Sequence, residues 1–240
     1  MGIGKSTSLG LKTARLALST AIVMAATMVF TVYVPSTRGY FNLGETMVYF
    51  TALYFGPLIG AFAGGVGSAL ADIILGYTVY APATLIIKGA EGWVAGYLAR
   101  KFLEREKTFI NFILSLTVSA GYLLIILVIG LFLFSGEVEV SFTMLISLSG
   151  FLHPFIWYPL AVLAVATPLY LSIRSKKSEG LLILILLFSG LIMILGYFIY
   201  QQFILGYYAL AEIPVNLGQV VLGAAVAIPL YRAVQRLSTR

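Results

Sequence analysis

Three ionisable residues, Asp72, Lys88 and Glu91, stand in apolar, glycine-rich sequence between Asn42 and Arg100. Charge in hydrocarbon is costly, so such residues face one another, a cavity or a substrate. The chemistry open to them is an ion pair, recognition of a polar ligand, or relay of an ion or proton. Asp72 ends a small-residue stripe, Gly60, Gly64 and Ser68, while Lys88 shares a helix face with Thr84, Gly92 and Gly96. Helical rise puts Asp72 about 4–5 Å, and Lys88 about 9 Å, inside the outer ends of neighbouring helices. A short loop joins the two helices, so Asp72 and Lys88 can meet. Such a pair either pins the helices together or lines an outward-facing cavity, and it can do both. Glu91, one turn from Lys88, is placed to support it.

Further polar residues gather near the same membrane face. The loop STRGYFNLGE brings Arg38, Tyr40, Asn42 and Glu45 to the outer mouth. Glu45 suits a helix N-terminus, where a carboxylate interacts favourably with the helix dipole. Asn42 has no comparable local explanation. At the start of the last apolar segment, IPVNLGQ places Asn216 and Gln219 three apart on one face. These amides read either as ligand donors and acceptors or as interhelical hydrogen bonds. Tyr77, Tyr80, Tyr197, Tyr200, Tyr207 and Tyr208 form either an interfacial aromatic belt or a stacking wall for a planar ligand.

Other chemistry finds little support. The chain has no cysteine and a single histidine, His153, with no carboxylate near it in sequence, so no ordinary metal site is expected. No serine has an evident base partner and there is no P-loop. We therefore expect no enzyme activity and no cofactor.

The elements that must position these residues are transmembrane helices. Of 240 residues, 60% are hydrophobic and only 10% charged, with a mean hydropathy of +1.01, which describes an all-α polytopic membrane protein within the lipid bilayer. Eight apolar segments are expected: about 11–34, 45–55, 57–75, 82–102, 109–134, 142–173, 181–205 and 214–234. The second is too short to span the membrane alone. The net charge of +6 could suggest nucleic acid, but the basic residues cluster between apolar segments. With eight passes and a cytoplasmic N-terminus, thirteen of the fifteen Lys and Arg fall inside. Both termini are thus expected in the cytoplasm of a multi-pass cell-membrane protein. The small residues Ala17, Ala21 and Ala25 form a stripe on the first helix, fit for close packing within the bundle or against an outside partner.

These motifs carry a family resemblance. The Ala17-xxx-Ala21 stripe, NLGE (42–45), FGPLIGAFAGGVGSALAD (55–72), GYTVYAPATLIIKGAEGWVAG (76–96), GYFIY (196–200) and PVNLGQ (214–219) resemble the substrate-binding S component of energy-coupling factor (ECF) vitamin transporters. The riboflavin/hydroxymethylpyrimidine-type branch is the most similar. The resemblance implies a six-helix core that binds a water-soluble vitamin or precursor near the outer face. It also implies docking of Ala17, Ala21 and Ala25 on a transmembrane coupling protein, with two cytoplasmic ATPases driving import. Ligand contacts would come from Asn42, Asp72, Lys88, Tyr197, Asn216 and Gln219, with Glu91 as structural support. Riboflavin-type members often carry a lysine three residues after the final-helix asparagine, and here Gln219 stands in its place. Within a single integral membrane domain, 1–240, residues 11–107 and 180–237 would form the core. Residues from about 108 to 178 would form an inserted helical hairpin. The rival reading is a stand-alone secondary carrier or channel with Asp72, Lys88 and Glu91 as an ion or proton relay.

Overall fold

Polarity is inverted relative to a water-soluble protein. Leu58, Ile86 and Phe203 are more than two-thirds exposed, while Glu45, Asp72, Lys88, Glu91, Asn216 and Gln219 are buried. A bilayer is the solvent that favours this distribution. The computed structural model describes residues 9–34, 39–102, 108–127, 136–143, 146–153, 155, 157–174 and 178–238. Within them three stretches are long and apolar enough to cross a membrane: Leu9–Val29, Pro57–Ile74 and Gly180–Ser238. The last holds two long helices. The chain is an all-α polytopic membrane protein, with two small β-hairpins among the described residues.

The chain divides into two compact units, residues 1–106 with 185–240, and residues 107–184. The first begins with α1 (Leu9–Val29), which buries Ser19, Val23 and Thr27 at helical spacing and leaves Ala17, Ala21 and Ala25 exposed. Two short strands follow, β1 (Thr31–Val34) and β2 (Gly39–Asn42), paired antiparallel with Thr31 opposite Asn42. The expected continuation of the first helix to Val34 is thus corrected. Thr31, Val32 and Val34 are β-branched and favour a strand once a partner edge is present. Arg38 lies outside the described residues.

Helix α2 (Gly44–Phe55) ends at Gly56, whose φ of +92° favours glycine, and Pro57 occupies the first turn of α3 (Pro57–Phe62). One π-helical turn, Ala63–Gly67, joins α3 to α4 (Ser68–Ile74). Helix α5 (Ala81–Phe102) packs closely on this span: a Cβ at Gly92 would run into the Gly60 carbonyl group. Helix α8 (Ser178–Leu205), from Ile185 onward, and α9 (Glu212–Ser238) complete the first unit. A 3-10 turn, Gly206–Ala211, links them.

The second unit contains α6 (Thr108–Ile125) and α7 (Trp157–Arg174), held together in part by a Ser119 hydroxyl that donates to the Val165 carbonyl at 3.2 Å. Between them stands an antiparallel hairpin, β3 (Gly136–Thr143) and β4 (Ile146–Leu152). Expected helix from 142 onward is strand as far as 152. Alternation in GEVEVSFT carries the period-2 signal of a strand. Of the expected segment 109–134, residues 128–134 lie outside the described residues.

Candidate functional site

Ten buried polar residues of the first unit, from Thr27 to Gln219, line one cavity of about 510 Å³ including its open mouth. Asn42, Asp72, Lys88, Tyr197, Asn216 and Gln219 all line it, although they come from five separate elements. Three hydrogen-bonded groups make up its walls.

The first is centred on Asp72, near the end of α4. Its two carboxylate oxygens accept from the Tyr40 hydroxyl and the Thr84 hydroxyl, each at 2.5 Å. Tyr197 on α8 donates in turn to Thr84 Oγ1 at 2.8 Å. Tyr40 is further held by stacking on Tyr77, with ring centroids 4.4 Å apart. Burial, then the adjoining Asp72 carboxylate, pushes the Tyr40 hydroxyl above the ordinary tyrosine range, so it remains a donor.

The second group surrounds Lys88. Its ammonium is ion-paired with Glu45 from α2 and lies 3.1 Å from Glu91 Oε2, one turn along α5. Met193 Sδ of α8 accepts at 2.9 Å. An ammonium has three N–H donors, and these partners engage all three. The Tyr49 hydroxyl adds a contact to Glu91 Oε1 at 3.0 Å. The Asp72–Lys88 pair allowed by their depths is therefore replaced by two separate networks. Hydroxyl donors satisfy Asp72, and glutamates from two helices satisfy Lys88. Glu45 is only 1% exposed, so its position in the first turn of α2 describes just part of its role.

The third group joins the β-hairpin to α9. The Asn42 backbone N–H donates to Gln219 Oε1 at 3.3 Å, and Gln219 Nε2 donates to Asn216 Oδ1 at 3.2 Å. Asn42 Oδ1 accepts from the Gly44 N–H at 2.8 Å, which fixes the entry to α2. Tyr80 also lines the cavity, whereas Tyr207 and Tyr208 are mostly exposed.

Several lining residues escape the sequence reading as site members. Glu45, Thr84 and Gln201 are the clearest. Thr84 is one turn before Lys88 and Gln201 one turn after Tyr197, so helical spacing from a chosen residue could have found both. No group of residues able to hold a metal ion occurs among the described residues.

Comparison with known proteins bears on what such a cavity serves. The sequence model of the family described as "ECF-type riboflavin transporter, S component" matches residues 11–175, more than half of the chain. The chain belongs to this family. A Pyrococcus woesei protein, described as "Uncharacterized protein in gap 3'region", is 49% identical over 78 residues, 32% of this chain and 52% of that protein. The "Thiamine precursor transporter HmpT" of Lactococcus lactis subsp. cremoris (strain MG1363) is 33% identical over 107 residues, 44% of this chain and 60% of that protein. The matches thus span between about half and three-fifths of these two relatives. The family is one of transporter components and not of enzymes.

Proposed function

We propose that this chain is the substrate-binding membrane subunit of an ECF-type importer for a water-soluble vitamin or vitamin precursor. The observation that carries the reading is the cavity on which Asn42, Asp72, Lys88, Tyr197, Asn216 and Gln219 converge. Concave, open at its mouth and lined by several polar side chains, it has the character of a small-molecule site. Membership of the S-component family and similarity to a thiamine precursor transporter support the same conclusion.

In this reading Asn42, Asn216, Gln219 and Tyr197 contact the ligand, and Asp72 orders the hydroxyls around it. Lys88 and Glu91 hold the helices that form the wall. The exposed side of α1, with Ala17, Ala21 and Ala25, docks on a transmembrane coupling protein, and two cytoplasmic ATPases supply the energy. The protein resides in the cell membrane with both termini in the cytoplasm. Residues 11–107 and 180–237 act as the transporting core, with about 108–178 as a peripheral insertion.

Identification by mass spectrometry of the small molecule that co-purifies with the protein tests this function, and a vitamin or precursor is expected. Accumulation of substrate in liposomes driven by an ion gradient, without coupling subunits or ATP, would overturn it in favour of a stand-alone carrier.

A further inference from the structure

We propose that the Ser68 hydroxyl is a ligand contact in this cavity, aimed there by the π turn that precedes it. This rests on the reading of the cavity as a vitamin site and adds to it a residue whose sequence context suggests only helix packing.

Direction comes from the backbone. A π turn takes in one residue more than an α turn, so the helix beyond it is rotated by about 100° relative to an unbroken one. Within the turn the small residues serve packing. A Cβ at Gly64 would stand 2.8 Å from the Lys88 carbonyl oxygen of α5, and one at Gly67 would stand 2.8 Å from the Thr20 carbonyl oxygen of α1. In an unbroken helix Ser68 would continue the row of Gly64, four residues back, and face the α5 backbone. It lines the cavity instead, on the same face of α4 as Asp72.

Hydrogen bonding supplies the second observation. Ser68 is only 4% exposed, yet its hydroxyl makes no hydrogen bond among the described residues. Thr20, Thr27 and Ser189 show the usual remedy inside a helix, each donating to the carbonyl four residues back at 2.8–2.9 Å. The hydroxyls of Tyr40, Thr84 and Tyr197 are already committed around Asp72. Ser19 on α1 also lacks a partner, but it is wholly buried and away from the cavity lining. The Ser68 oxygen keeps open surface, and the cavity is the space beside it. A hydroxyl both donates and accepts, so it suits an uncharged polar group of the ligand, such as a hydroxyl, carbonyl or ring nitrogen.

Titration calorimetry on the full chain in nanodiscs tests this, with riboflavin, thiamine, 4-amino-5-hydroxymethyl-2-methylpyrimidine and pyridoxine as probes. Ser68→Ala should weaken whichever probe the native chain binds by about three- to tenfold, the worth of one hydrogen bond. The thermal midpoint should not move. Because the chain has no cysteine, Ser68→Cys offers a single thiol to 2-aminoethyl methanethiosulfonate. It is expected to be labelled, and to be protected by the bound probe, while a Ser19→Cys control is not labelled. The ligand contact is overturned by unchanged affinity in Ser68→Ala, or by a Ser68→Cys thiol that reacts no faster than Ser19→Cys or equally fast with the probe bound. A fall in affinity matched by a fall in the midpoint also overturns it and assigns Ser68 to packing. Each of these leaves the vitamin-binding function standing. Binding of no probe by the native chain overturns that function and the contact with it.

Discussion

Lys88 and Glu45, 43 residues apart, form an ion pair inside the membrane unit, with Glu91 completing a buried triad. The triad joins α2 to α5, and Met193 ties both to α8. Ion pairs this deep contribute less to net stability than their attraction suggests, because both partners lose water. Removing one member is a different matter, since the rest become buried charge without compensation.

Lys88→Met should therefore destabilise the protein by about 3–5 kcal/mol, seen as a large fall in the thermal midpoint in detergent. Adding Glu45→Gln and Glu91→Gln to the same chain should recover much of the loss. An unchanged midpoint in Lys88→Met would show that the triad does not hold these helices.

Asn216→Ala removes the acceptor that orders Gln219, and with it one polar wall of the cavity. Ligand affinity is expected to fall by about 1–3 kcal/mol, the cost of leaving a buried polar partner unsatisfied. Calorimetric titration with the co-purified ligand measures it. Unaltered affinity would assign Asn216 to helix packing.

Ala21→Trp places bulk on the exposed side of α1, remote from the buried Val23 face. Loss of co-purification with the coupling protein, with ligand affinity intact, is the expected result, because small residues permit close helix approach. A complex that assembles normally would remove α1 as the docking surface.

Gly92→Leu acts at the contact of α5 with the Gly60 backbone, where even a Cβ has no room. The helices must separate or the chain misfold, and overpacking of this kind costs about 1–3 kcal/mol or more. Lower yield and a depressed thermal midpoint in size-exclusion and melting experiments would register it. Native-like behaviour would mean that the Gly60–Gly92 approach is not required.

Polar character inside apolar sequence is enough to single out Asp72, Lys88, Asn216 and Gln219, because hydrocarbon leaves few other reasons for such residues to be there. Partner choice is not legible in the same way. Helix depth puts Asp72 and Lys88 within reach of each other, but the direction of each side chain depends on the π turn at Ala63–Gly67 and on how α2 docks against α5. Neither can be deduced from spacing. The hairpin at 136–152 illustrates another limit. Its alternation is visible in Val138, Glu139 and Val140, yet apolar sequence on either side draws the reading toward continuous helix.

The shortness of α2 makes room for the cavity. Twelve residues of helix reach only about 18 Å at the usual helical rise, well short of a hydrocarbon layer of about 30 Å. Where α2 stops, Arg100 of α5 donates to the Phe55 carbonyl at 2.6 Å and is exposed. Arg100 stands in the last turn of α5, whose 22 residues reach about 33 Å, so α2 ends at the membrane boundary, where a guanidinium keeps contact with water or phosphate. The missing length of α2 lies at its other end, where Glu45 meets Lys88 and the cavity takes the place of further helix.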